Sequence, residues 1–108
     1  MRRGEIWTIA ARGAYTGKPG PAVIVQDNSF DATASVTVCA VTTDPTEAPL
    51  LRVPIEPDEL NGLAQPSSLM IDKLTTVPRA NVNTQIGRLN EQDMLRAGRA
   101  IVVFLGLA

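Results

Sequence analysis

Arg12, Tyr15 and Lys18 recur every three residues in a stretch, residues 12–20, that is otherwise small and turn-forming. Cations interleaved with an aromatic ring can grip single-stranded nucleic acid, the cations on phosphates and the ring under a base. The same composition also suits a solvated loop, and composition leaves both readings open. Arg2 and Arg3 add positive charge near the same end of the chain. The total of ten basic and eleven acidic residues gives a formal charge of −1, so any affinity for nucleic acid has to be local. There is no histidine and a single cysteine, Cys39. That excludes imidazole acid–base chemistry, an internal disulfide and a nitrogen/sulfur metal site, and no cofactor is expected. Thr42 and Thr43 close an alternating stretch, where hydroxyls ordinarily bond a local turn. Trp7, the one tryptophan, reads as a core or rim residue rather than a stacking platform.

The elements that must position these groups follow from pattern. A chain of 108 residues with a 44% hydrophobic fraction makes one domain, residues 1–108. Strands are expected over residues 5–11, 21–26, 35–41, 50–55, 66–76 and 84–89. The second is apolar through its middle, as a strand covered on both faces should be. Pro54 puts the fourth at an edge. Residues 27–34 should form a short helical turn anchored by Phe30, and residues 77–82 a turn around Pro78. The one clear helix follows Asn90, which can cap it, and stops at Gly106. Met94, Leu95, Ile101, Val102 and Leu105 form its expected core face, and Gly98 suggests close approach to a strand. No apolar run is long enough to span a bilayer, and Arg2-Arg3 is followed by Gly4-Glu5 rather than an apolar leader, so a soluble cytoplasmic domain is expected. The class is α+β.

Several segments, in order, resemble the MazF/PemK toxins of bacterial toxin–antitoxin pairs. They are the opening Met1-Arg-Arg-Gly-Glu-Ile-Trp7, the stretch Gly17-Lys-Pro-Gly-Pro-Ala-Val-Ile-Val25, and Val36-Thr-Val-Cys-Ala-Val-Thr-Thr43. Asn61-Gly-Leu63, Gln65-Pro-Ser-Ser-Leu-Met-Ile-Asp72, Thr75-Thr-Val77, Ile86-Gly-Arg-Leu89 and Phe104-Leu-Gly-Leu107 continue the match. The resemblance implies an SH3-like small β-barrel of the MazF/CcdB type with a C-terminal helix, usually a homodimer. It implies a metal-independent endoribonuclease that cuts single-stranded mRNA by attack of the 2′-hydroxyl on the adjacent phosphate. A protein antitoxin, whose C-terminal segment covers the RNA groove, is the implied partner.

Two positions carry the chemistry in that family. Thr42, with Thr43 as the alternative register, corresponds to a threonine that contacts the scissile phosphate. The family's catalytic arginine falls on Gly20, which can neither hold charge nor move a proton. Either Gly20, introduced or natural, leaves the chain catalytically impaired, or Lys18 or Arg12 stands in. Lys18 would supply charge without the two-pronged guanidinium. Arg3, Tyr15, Lys18, Asp72 and Lys73 are the expected RNA contacts. Two other functions share this fold: a gyrase poison like CcdB, whose Trp-Gly-Ile ending this chain lacks, and a non-catalytic antitoxin-binding homologue.

Overall fold

The computed structural model describes residues 1–10 and 20–108. Six strands form one antiparallel sheet: β1 (Glu5–Ile9), β2 (Gly20–Ile24), β3 (Ser35–Thr42), β4 (Arg52–Ile55), β5 (Ser67–Pro78) and β6 (Val82–Arg88). The spatial order is β4-β5-β3-β2-β1-β6, and one helix, α1 (Glu91–Phe104), follows. Asp27 caps the short 3-10 turn Asn28–Phe30 by accepting from the Ser29 N–H. Phe30, expected to anchor that turn, is instead 59% exposed and enters neither core cluster of the described residues, since the turn lies outside the sheet.

The sheet is strongly curled. Pro78 ends β5 and Val82 begins β6, yet β3, β2 and β1 lie between those strands in the sheet. In a flat sheet that separation would be roughly 19 Å, while the connecting residues reach at most about 14 Å. The chain therefore closes the distance by curling. Expected to be a simple turn, residues 77–82 are mostly strand: β5 runs on through Pro78, and only Arg79–Asn81 turn. No ladder joins β4 to β6 among the described residues, so the sheet stays open.

Alternation sorts the apolar residues into two cores. Ile6, Val23, Cys39, Val41, Leu69 and Ile71 face α1. Ile9, Ala22, Ile24, Val36, Val38 and Val77 line the inside of the curl, with Trp7 packed against them. This is why β2 carries an unbroken apolar run: Ala22, Val23 and Ile24 are all buried, on alternating faces. Trp7 is half-buried and its indole N–H donates to Glu5 Oε1 at 3.0 Å, a packing role as expected.

β4 does lie at the sheet edge, with Pro54 exposed. Arg96 of α1 covers it by donating to the Pro54 carbonyl at 3.0 Å. At the other edge, residues 60–62 dock on β6: the Arg88 N–H donates to the Leu60 carbonyl at 2.9 Å. Asp58 holds that loop, its Oδ1 accepting from the Leu60 and Asn61 N–H groups at 2.8 Å each. Those hydrogen bonds, from Asn61 first and Leu60 second, keep its pKa below the ordinary 3.8. A depressed carboxylate stabilises the fold above the unfolded pKa, and that contribution is lost as pH falls through the folded one. Acid unfolding below about pH 4 should therefore be shallower in Asp58→Asn, measured by thermal unfolding across pH.

The helix begins as its sequence predicts: Asn90 Oδ1 accepts from the Asp93 N–H at 2.8 Å. It ends in a left-handed Gly106 (φ 73°), where Gly106 and Leu107 donate to the Val103 and Val102 carbonyls. Its inner face differs from the expected one. Ala97 is the buried residue, with Met94, Ala100 and Ile101 packed beside it, while Leu95, Val102 and Leu105 are exposed. The curled sheet offers α1 only a narrow seam along β4 and β5, so small residues fit it and part of the apolar stripe faces outward. Gly98 approaches no strand. A Cβ there would meet the Arg3 guanidinium at 3.4 Å.

Candidate functional site

Gly20 opens β2, where it pairs with Ile9 of β1. The β2–β3 ladder pairs Ala22 with Ala40, Val23 with Cys39 and Ile24 with Val38. Continuing that register by two residues brings Gly20 opposite Thr42, on the face that carries Ala22, Ile24, Val36 and Val38. Thr42 in turn pairs with Ser68 of β5, which pairs with Pro54 of β4. One row across the inside of the curl therefore reads Ile9, Gly20, Thr42, Ser68, Pro54. Directly opposed residues in such a row have Cβ atoms about 4.5–5.5 Å apart.

Nothing about the backbone at Gly20 calls for glycine. Its φ is not positive, and a Cβ built on it meets no atom of the described residues within 4 Å. A side chain at this position would project beside Thr42 into space that no described residue fills.

The Thr42 hydroxyl is half-buried and accepts from the Asp44 N–H at 3.1 Å, the local turn contact expected of a strand-ending threonine. Its own proton donates to no described residue and can serve a bound anion. Thr43 is exposed and lies just past the end of β3.

Asp72 and Lys73 lie in an irregular part of β5. Between the pairs Cys39–Leu74 and Val41–Leu69 the register slips, and the four residues 70–73 stand against Ala40 alone. Asp72 accepts from Arg52 Nη1 at 2.5 Å and sits 3.1 Å from Lys73 Nζ. Burial pushes the Asp72 pKa up, but the hydrogen bonds and charges of Lys73 and Arg52 outweigh it and leave the carboxylate below its ordinary value. Asp72 is thus an ionised partner of two cations. Arg52 was not among the residues singled out from sequence. The signal was present in the alternation of β4, since Val53 and Ile55 enter the helix-side core and Arg52 must face inward to the curl.

Arg3 lies elsewhere. It donates to the Val25 carbonyl, beyond the end of β2 opposite Gly20, and lines a groove of about 780 Å³ with Met94, Leu95, Gly98 and Val102 of α1. The structure brings Gly20, Thr42, Arg52 and Asp72 to one face and leaves Arg3 on the other. Arg12, Tyr15 and Lys18 fall outside the described residues. Cys39 takes no part: burial, with the nearby Asp72 charge, pushes its thiol up to about 12.

A small curled antiparallel sheet, backed by a C-terminal helix, that sets a threonine and an ion-paired Arg–Asp unit on its inner face defines a class of compact α+β domain. The chain belongs to the family of PemK-like, MazF-like toxins of type II toxin–antitoxin systems, whose profile matches residues 2–105. A Mycolicibacterium smegmatis protein described as "Probable endoribonuclease MazF" is 63% identical over 108 residues, which is 100% of this chain and 99% of that one. The fold is similar to a mycobacterial endoribonuclease solved with its cognate antitoxin, at a TM-score of 0.83 and 21% identity over 100% of this chain and 97% of that one. It is also similar to Mycobacterium tuberculosis toxin MazF-mt6, at a TM-score of 0.76 and 27% identity, covering 94% of this chain and 98% of that one.

Proposed function

We propose that this chain is the toxin of a type II toxin–antitoxin pair, built as a cytoplasmic endoribonuclease for single-stranded RNA and impaired by the glycine at position 20. The observation that carries this reading is the β2–β3 ladder, whose register continued by two residues puts Gly20 opposite Thr42, in a member of the toxin family. In this reading the curled sheet is an SH3-like barrel of the MazF/CcdB type, and the RNA strand crosses the inner face. The Thr42 hydroxyl donates to a non-bridging oxygen of the scissile phosphate. An arginine at position 20 would stand beside it, stabilise the charge that builds as the 2′-hydroxyl attacks, and assist proton transfer. The products would be a 2′,3′-cyclic phosphate and a 5′-hydroxyl, with no metal required. Cleavage of a long single-stranded RNA in the presence of a chelator by Gly20→Arg, and its loss in Gly20→Arg/Thr42→Ala, is the expected result. Strand breaks in gyrase-bound DNA without RNA cleavage would replace this reading with a CcdB-like one.

The partners we assign are a cognate antitoxin and a second copy of this chain. Leu95, Val102, Val103 and Leu107 stand exposed on or just beyond α1, forming an apolar surface that a monomer would leave in water. Glu91 and Arg99 border the same groove with opposite charges, as a self-complementary two-fold contact needs. Val102→Glu should convert a dimer to a monomer in sedimentation velocity without loss of helical signal. A parent chain that sediments as a monomer at tens of micromolar would count against the dimer.

A further inference from the structure

Arg52 has no place in the chemistry above, yet it is the described cation nearest to the Thr42 row by sheet register. It pairs with Met70, one pleat along from the Pro54–Ser68–Thr42 row, and the alternation of β4 puts it on the same face. Its Nη1 donates to the Leu51 carbonyl at 2.9 Å and to Asp72 Oδ1 at 2.5 Å, so the guanidinium is fixed at one corner. Nε and Nη2 make no hydrogen bond to the described residues. The Arg52 side chain is 19% exposed, so it keeps contact with solvent. The Arg52 charge also reaches Asp44, two residues past Thr42. Asp44 has a pKa lowered first by its Thr46 hydrogen bonds and then, more weakly, by Arg52. Arg52, Asp72 and Lys73 together carry one net positive charge.

We propose that Arg52 is a phosphate-holding residue, whose Nε–Nη2 edge, unbonded among the described residues, grips a backbone phosphate of the strand lying across Thr42 while Asp72 holds the guanidinium in place. An arginine presents two parallel N–H groups to two phosphate oxygens, and a planar fork already anchored at Nη1 loses little freedom on binding. The role is one of binding and register. It gives this face a cation for RNA where position 20 supplies none, and it rests on the reading of the chain as an RNA-cleaving toxin.

The test is binding of a fully 2′-O-methylated single-stranded RNA, which cannot be cleaved, by fluorescence anisotropy between about 50 and 200 mM salt. Arg52→Gln should weaken binding about tenfold and make the slope of log K against log salt shallower by about 0.7, the value for one phosphate contact on a single strand. Arg96→Gln removes the same charge from the helix side and should leave the slope unchanged. Arg52→Lys keeps the charge and loses the fork; it should keep the parent slope and bind several-fold more weakly. If Arg52→Gln fails to fold by circular dichroism, Arg52→Lys decides alone, and parent-like affinity in it overturns the proposal. Parent affinity and slope in a folded Arg52→Gln also overturn it, with the RNA reading left intact. A parent chain that binds no RNA, together with an inert Gly20→Arg, removes both.

Discussion

Gly20→Arg is expected to raise RNA cleavage by at least about 10²-fold over the chain as it stands. Loss of one preorganised donor to a developing oxyanion costs roughly 10²–10³ in rate, and loss of an acid–base group roughly 10²–10⁴. Position 20 lies opposite Thr42 in the continued β2–β3 register, so in the proposed reading an arginine there would supply both roles to the same phosphate. The substitution should cost the fold little, because a Cβ at position 20 meets no described residue within 4 Å and the backbone is not left-handed. Gly20→Lys should recover less, since an ammonium is a point charge without the two-pronged geometry. Equal rescue by lysine and arginine would show that charge alone is wanted at this position. The check is single-turnover cleavage of a defined RNA by the three proteins at matched concentration.

The second large effect concerns the β6 edge of the sheet. Gly87→Ala is expected to destabilise the chain by roughly 3 kcal/mol or more, lowering the melting temperature by about 10 °C or more. A Cβ at Gly87 would sit 2.4 Å from the carbonyl carbon and oxygen of Asn61 and from the Leu60 carbonyl oxygen. All three are backbone atoms and cannot swing aside. The loop they belong to is fixed from within. Asn61 is 1% exposed, donates to the Glu56 carbonyl at 2.8 Å, and accepts from the Asp58 and Leu63 N–H groups. Gly62, at φ +67°, is equally constrained, since its Cβ would come within 2.0 Å of the Ile86 carbonyl oxygen. By contrast, Gly20→Ala should change stability by no more than about 0.5 kcal/mol, as an unencumbered surface substitution does. Thermal unfolding of Gly87→Ala beside Gly20→Ala checks both statements. Similar melting temperatures would mean that the contact of residues 60–62 with β6 does not hold the sheet edge.

Much of this architecture was legible in the sequence. Alternation over β3 and β5, the apolar run of β2, Pro54 and the Asn90 cap are local signals, and local signals place strands, an edge and a helix start. The inner face of α1 was less legible. An apolar stripe records that side chains avoid water, but not whether the cover is this chain's sheet or another surface, so Leu95, Val102 and Leu105 were assigned to a core they do not enter. Strand limits moved for a similar reason. Hydrogen bonding across the curl carries β5 through Pro78 and starts β6 at Val82, where Pro78 alone suggests a break.

At the site, Thr42 and Gly20 could be picked out by type and by family pattern, but their juxtaposition depends on the β2–β3 register. Arg52 was missed because its partner Asp72 lies twenty residues away across a bulged strand. No spacing rule spans such a bulge. Arg3 shows the reverse case. It is close in sequence to the basic stretch, and the fold carries it to the helix side.

The central claim is that this fold is a ribonuclease whose missing charge is at position 20. The most direct measurement incubates the parent chain and Gly20→Arg with one long single-stranded RNA, in chelator, and maps the product ends. Cleavage by Gly20→Arg at defined sites, with 5′-hydroxyl and 2′,3′-cyclic phosphate ends and little or no cutting by the parent, is the result predicted. Intact RNA in both reactions, with both proteins folded, would contradict it.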